Sequence, residues 1–130
     1  MFFRKNKAKD TQKSLKEEKA IIVNSEELIK EANSLSSTIN SVLGDDRIKV
    51  LNEIGGLYFQ AGKIDDAIKY YEISVKENKS LGKAYTDLIK LYNIKMKEAI
   101  RKKDDEKMKY YMDKTDELLK LSKDVIRGRI

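Results

Sequence analysis

The chain has 130 residues, 38% charged and 40% hydrophobic, with 28 basic against 22 acidic side chains and no proline, cysteine, histidine or tryptophan. About six prolines are usual at this length, so their absence favours long uninterrupted helices over sandwiches, barrels or proline-rich linkers. Without cysteine or histidine there is no disulfide, no zinc site of the usual kind and no Ser/His or Cys/His catalytic arrangement, so the expectation is a non-enzyme without metal or cofactor.

Residues 1 to 23 open the chain as a basic arm, Met1-Phe2-Phe3-Arg4-Lys5 with Lys7 and Lys9, without a hydrophobic stretch of signal-peptide length. Ser14-Leu15-Lys16-Glu17 fits a capping box and predicts a short helix from about 12 to 22. The longest apolar run, Ala20-Ile21-Ile22-Val23, is far below the roughly 20 residues that span a bilayer. A cytoplasmic location is expected, with at most weak, reversible contact between the arm and an anionic membrane.

The second unit, 24 to 130, reads as helix after helix. Leu28, Ile29, Ala32, Leu35, Ile39, Val42 and Leu43 recur at three- and four-residue spacing, predicting a helix capped by Asn24 or Ser25 and ended by Gly44. After Asp45-Asp46, which suit a helix start, Ile48, Leu51, Ile54, Leu57 and Tyr58 carry a second helix up to Gly62. Ile64, Ala67, Ile68, Tyr71, Ser74 and Val75 make a third. Ala84, Tyr85, Leu88, Leu91, Tyr92, Met96, Ala99 and Ile100 make a fourth of about 20 residues. From Asp105, Met108, Tyr111, Met112, Thr115, Leu118, Leu119, Val125 and Ile126 make a fifth, with Gly128 near its stop. Nothing alternates with period two for long enough to argue a strand. The chain is expected to be all-α, in antiparallel hairpins because the connections are short.

Between residues 48 and 81 the spacing Leu51-x2-Ile54-Gly55-x2-Tyr58, then Ala67-x3-Tyr71 and Ser74-Val75, resembles the tetratricopeptide (TPR) repeat. Tyr58-Phe59-Gln60-Ala61-Gly62-Lys63-Ile64-Asp65-Asp66-Ala67 is the most typical stretch. Small Gly55 and Ala67 are expected where the two helices of the hairpin come closest, while Leu51, Ile54, Tyr58 and Tyr71 fill the space toward the next hairpin. Lys79 stands where the family usually has proline, so a continuous or softer bend is expected there. One repeat length further, residues 82 to 127 form a degenerate second repeat: Tyr85, Leu88, Ile89 and Tyr92 take the first-helix positions, and the hairpin is lengthened through Lys95 to Lys103. The resemblance implies a short TPR-like solenoid with flanking helices, acting as an adaptor or scaffold that binds a peptide or partner helix in a concave groove. Carried over slot by slot, that groove would be lined by Lys49, Asn52, Gly56, Phe59 and Gln60, and by Lys83, Thr86, Lys90, Asn93 and Ile94. Phe59 and Ile94 would be its exposed anchors, unless a flanking helix covers them. Few repeats leave open apolar ends, to be closed by flanking helices or by a second copy in a homo-oligomer.

Charge supplies the alternative reading. Residues 1 to 20 and 82 to 130 are net basic while the middle is mildly acidic, and Arg101-Lys102-Lys103 forms the densest cluster, at the tip of the lengthened hairpin. A nucleic-acid-binding accessory protein would use the arm and this tip. Against it, only five of the 28 basic residues are arginine, the usual reader of phosphates and bases, and Asp104-Asp105-Glu106 follow the tip directly. The acidic pairs Asp45-Asp46, Asp65-Asp66 and Asp104-Asp105 read as helix starts rather than metal ligands.

Overall fold

A computed structural model describes residues 24–79 and 81–128, and among these every regular element is helical. Helix α1 covers the described residues 24–38 and runs into a 3-10 turn, Ile39–Ser41. It is followed by α2 (Gly44–Gln60), α3 (Ile64–Glu77), α4 (Lys83–Arg101) and α5 (Asp105–Ile126). The arm and short helix expected over 1 to 23 lie outside the described residues.

Side-chain pairing fixes the direction of each helix. Arg47 meets Glu77, Asn52 meets Ser74, Gly55 meets Tyr71 and Tyr58 meets Tyr70; one index falls as the other rises, so α2 and α3 are antiparallel. Asp65 with Lys95 and Tyr71 with Asp87 give the same relation for α3 and α4. The three-residue turn Lys102 to Asp104 folds α5 back along α4, where Tyr92 and Tyr111 lie 6.1 Å apart. One apolar core then runs through all five helices, from Ala32 on α1 to Leu118 on α5, and Leu51, Ile54, Tyr71, Leu88 and Leu91 are its largest fully buried side chains. These are apolar positions of the helical spacing, and burying each contributes about 1.5–3 kcal/mol.

Close approach and turns depend on particular residues. A Cβ at Gly55 would stand 3.0 Å from the Tyr71 ring, so only glycine lets α3 lie this near α2, as expected for the hairpin. Gly62 takes φ 79 in the α2–α3 turn, a conformation that glycine adopts without the steric penalty of a Cβ.

Several local expectations are corrected. The helix expected to reach Gly44 stops at 38; Ser36, Ser37 and Thr38 each bond a carbonyl three residues back, and Ser41 does so after them, favouring the tighter turn that follows. Gly44, with φ 66, begins α2 rather than ending α1, and Asn24 and Ser25 are helical rather than capping. Asp45 and Asp46, like Asp65 and Asp66, occupy first turns without a side-chain cap bond; only Asp104 caps, accepting from the Lys107 N–H. At Lys79 the helix breaks instead of bending: α3 ends at Glu77, Asn78 leaves the helical conformation at φ −129 and ψ 88, and α4 starts at Lys83. Tyr58 also turns toward the preceding helix, donating its hydroxyl to Asn33 on α1.

The α4–α5 turn carries the one positive φ among described residues other than glycine, Lys103 at 55, closed by Lys103 N–H to Ile100 O and Asp104 N–H to Ala99 O. A side chain in this left-handed region costs roughly 1–2 kcal/mol. Part of that is offset by the greater freedom of glycine when unfolded, so Lys103→Gly is expected to stabilise the fold by about 0.5–1 kcal/mol. A urea midpoint that falls rather than rises would refute this.

Candidate functional site

Helices α2 and α4 lie side by side on the same face of α3, and a shallow groove of about 290 Å3 opens between them. Gly56, Phe59 and Gln60 form one wall, Lys83 and Asp87 the other. Gly56 is buried because the Lys83 ammonium lies across it, 3.3 Å from where a Cβ would be, and the Tyr71 hydroxyl stands equally near. That hydroxyl donates to Asp87 at 2.6 Å, so a buried ring on α3 fixes a carboxylate at the groove wall. Burial first, then the bond to Asp87 and its charge, push the Tyr71 phenol well above the usual tyrosine range, which keeps this donor protonated.

The structure brings together four of the ten expected groove residues: Gly56, Phe59, Gln60 and Lys83. Phe59 is not the freely exposed anchor expected of it, being half-buried and packed against the core. Ile94 is 39% exposed but does not line the groove. Asn52 is half-buried, and its side-chain oxygen accepts from Ser74 Oγ on α3, which ties it into the hairpin. Lys49, Thr86, Lys90 and Asn93 are exposed on the same two helices, and Thr86 Oγ1 donates back to Gly82 O at 3.3 Å.

At the hairpin tip Arg101, Lys102 and Lys103 are all exposed. Lys102 is paired with Glu98 at 3.0 Å, which together with Asp104 to Glu106 offsets the cationic field. No group of acidic side chains among the described residues could hold a metal ion.

A second cavity, of about 580 Å3, opens between α3 and α5 over Leu88 and Tyr92 of α4. Its rim carries a three-helix polar knot. Glu72 accepts from the Tyr92 hydroxyl at 2.6 Å and pairs with Lys114 at 3.2 Å. Burial and then Glu72 raise the Tyr92 phenol far above its ordinary range, while at Lys114 burial opposes charge and the hydrogen bond to Glu72 overcomes it, leaving the pKa raised. Sequence reasoning did not find this knot, since its three members stand about twenty residues apart, Tyr92 reads as a packing residue of the apolar face, and Glu72 and Lys114 sit where solvated surface residues would be expected. Among the described residues no helix is long and apolar enough to cross a membrane. No protein-family model, curated protein or solved structure matches this chain.

Proposed function

We propose that this chain is a non-enzymatic interaction module of TPR-like helical hairpins, an adaptor that takes a peptide or partner helix along the face of α2 and α4. The observation that carries the reading is the groove between these helices, whose walls combine the half-buried Phe59 ring, a lysine and an oriented carboxylate. The positions that resemble TPR groove slots supply its α2 wall and Lys83. One apolar ring among a few placed polar groups gives a ligand both an anchor and register. Exposed Lys49, Lys83 and Lys90 on this face suit a segment with acidic side chains beside an apolar anchor, since opposite charge steers the encounter and fixes orientation.

A peptide-display selection against the full chain tests this. The expected result is enrichment of one family of acidic, apolar-anchored peptides, with binding weakened about tenfold or more by Phe59→Ala and by Lys83→Glu. No enriched family, or peptides that bind both variants as well as the parent chain, would overturn the proposal.

A further inference from the structure

Helix α5 carries two apolar stripes, and the fold uses only one. Tyr111, Leu118 and Leu121 turn into the core, and Lys114 and Glu117 between them face α3 across the larger cavity. Beside this buried stripe runs a second: Met108, Met112, Thr115, Leu119, Ser122 and Ile126, spaced four, three, four, three, four. That is the 3.5-residue repeat of a coiled-coil seam; Met112, Leu119 and Ile126 along it are 53%, 45% and 75% exposed, while Met108, Thr115 and Ser122 are half-buried. At roughly 100° per residue the free stripe lies on the side of α5 turned away from α3. On α4 the residues facing α2 are Lys83 and Asp87; Met96 and Ile100 lie on the other side, with Ile100 53% exposed. The apolar surface of the two helices is therefore gathered on one end of the helix stack.

The charges flanking the seam show what fits it. Immediately after the first and third seam residues stand Lys109 and Asp116, both exposed; Lys123, after the fifth, falls beyond the overlap of the antiparallel register that follows. Two α5 helices laid antiparallel, with Met108 of each against Leu119 of the other and Met112 against Thr115, bring each Lys109 beside the other copy's Asp116. The arrangement is two-fold and self-complementary, as an isologous contact requires. Parallel pairing would set these charges against Tyr111 and Leu118, which turn into the chain's own core. Thr115 adds little desolvation cost in the seam because its hydroxyl already donates to Tyr111 O at 2.8 Å. In this register residues 105–122 of the two α5 helices overlap over about 27 Å, and two helices side by side offer a face about 20 Å wide, smaller than, but of the order of, the roughly 800 Å2 per partner of a standard interface.

We propose that the free face of α4 and α5 is a self-association surface that seats a second copy of this chain, α5 antiparallel to α5, with Lys109 of each copy opposite Asp116 of the other. The test is sedimentation equilibrium of the full chain from about 1 μM to about 0.5 mM, a range that covers weak and moderate dimers. A species of twice the 15.1 kDa chain mass is expected. Leu119→Glu, with its helical circular dichroism unchanged, should weaken the dimer about thirtyfold or more. Lys109→Glu and Asp116→Lys should each weaken it several-fold, and together restore it. Orientation is read separately: in a chain without native cysteine, Met108→Cys should form a disulfide with Leu119→Cys in a mixture of the two variants, and Leu119→Cys alone, whose two copies lie about 16 Å apart along the antiparallel pair, should not cross-link to itself. A monomer throughout the range overturns the proposal and leaves the face to another partner. So does a dimer indifferent to Leu119→Glu, an open-ended assembly, a charge swap that fails to restore binding, or self-cross-linking at Leu119→Cys.

Discussion

Replacing Tyr71 by alanine is expected to remove about 3–5 kcal/mol of stability, a large share of the 5–15 kcal/mol that holds a domain of this kind folded. The ring is fully buried, fills the space that Gly55 leaves open on α2, and reaches through to α4 with its hydroxyl on Asp87. One side chain thus joins three helices. Tyr71→Phe keeps the ring and loses only the bond; because Asp87 is half-exposed and water can take the vacated place, its cost is expected to be about 1.5 kcal/mol. Urea unfolding of the two variants separates packing from hydrogen bonding. An alanine variant within about 1 kcal/mol of the parent would show that the close approach at Gly55 is not what holds the hairpin together.

The second large effect is alkaline. Tyr71 and Tyr92 are buried donors to carboxylates, and both are raised far above the usual tyrosine range, by burial first and by Asp87 and Glu72 next. A raised folded pKa means that the fold keeps a proton which the unfolded chain gives up near pH 10. Their contribution is therefore fully present below about pH 10 and is lost as pH rises beyond it, at up to about 1.4 kcal/mol per pH unit for each tyrosine. Tyr58 and Tyr111 are raised in the same direction, with burial the largest cause in each. At Lys95, burial is outweighed by the bond and charge of Asp65, so this lysine too holds its proton more tightly when folded. The expected result is a stability flat in pH through neutrality that declines steeply above pH 10. Urea titrations at successive pH values measure the slope, and Tyr71→Phe with Tyr92→Phe should reduce it, leaving the smaller part that Tyr58, Tyr111 and Lys95 carry. A stability unchanged to pH 12, or a slope undiminished by both substitutions, would show that these hydroxyls are not held as donors in the fold.

Helix identity was legible because it is a local property. The three- and four-residue spacing of Leu51, Ile54, Tyr58 and of Leu88, Leu91, Tyr92 can be satisfied by one conformation only, and Gly62 marks its turn without reference to the rest of the chain. Helix ends were less legible. Between 36 and 41 four hydroxyl side chains compete for backbone carbonyls, a contest that apolar spacing does not register, and at Asn78 the chain breaks without the proline that would have announced it.

Site residues divide along the same line. Phe59 and Lys83 both line the groove between α2 and α4, as slots assigned to one face would, whereas the exposure of Phe59 was misjudged because periodicity says which way a ring points and not what packs beside it. Asp87 and the knot of Glu72, Tyr92 and Lys114 depend on partners from three helices.

By itself the sequence determined the helical class, most of the turns, the absence of cysteine and histidine chemistry, and the concentration of basic charge toward the ends; all of these are fixed by residues close together in the chain or by composition alone. Only the tertiary structure decided which of two apolar stripes on α5 is buried, which carboxylates the tyrosines hold, and where the groove opens. Each of those is a choice among distant partners of nearly equal chemistry, made by how the helices pack.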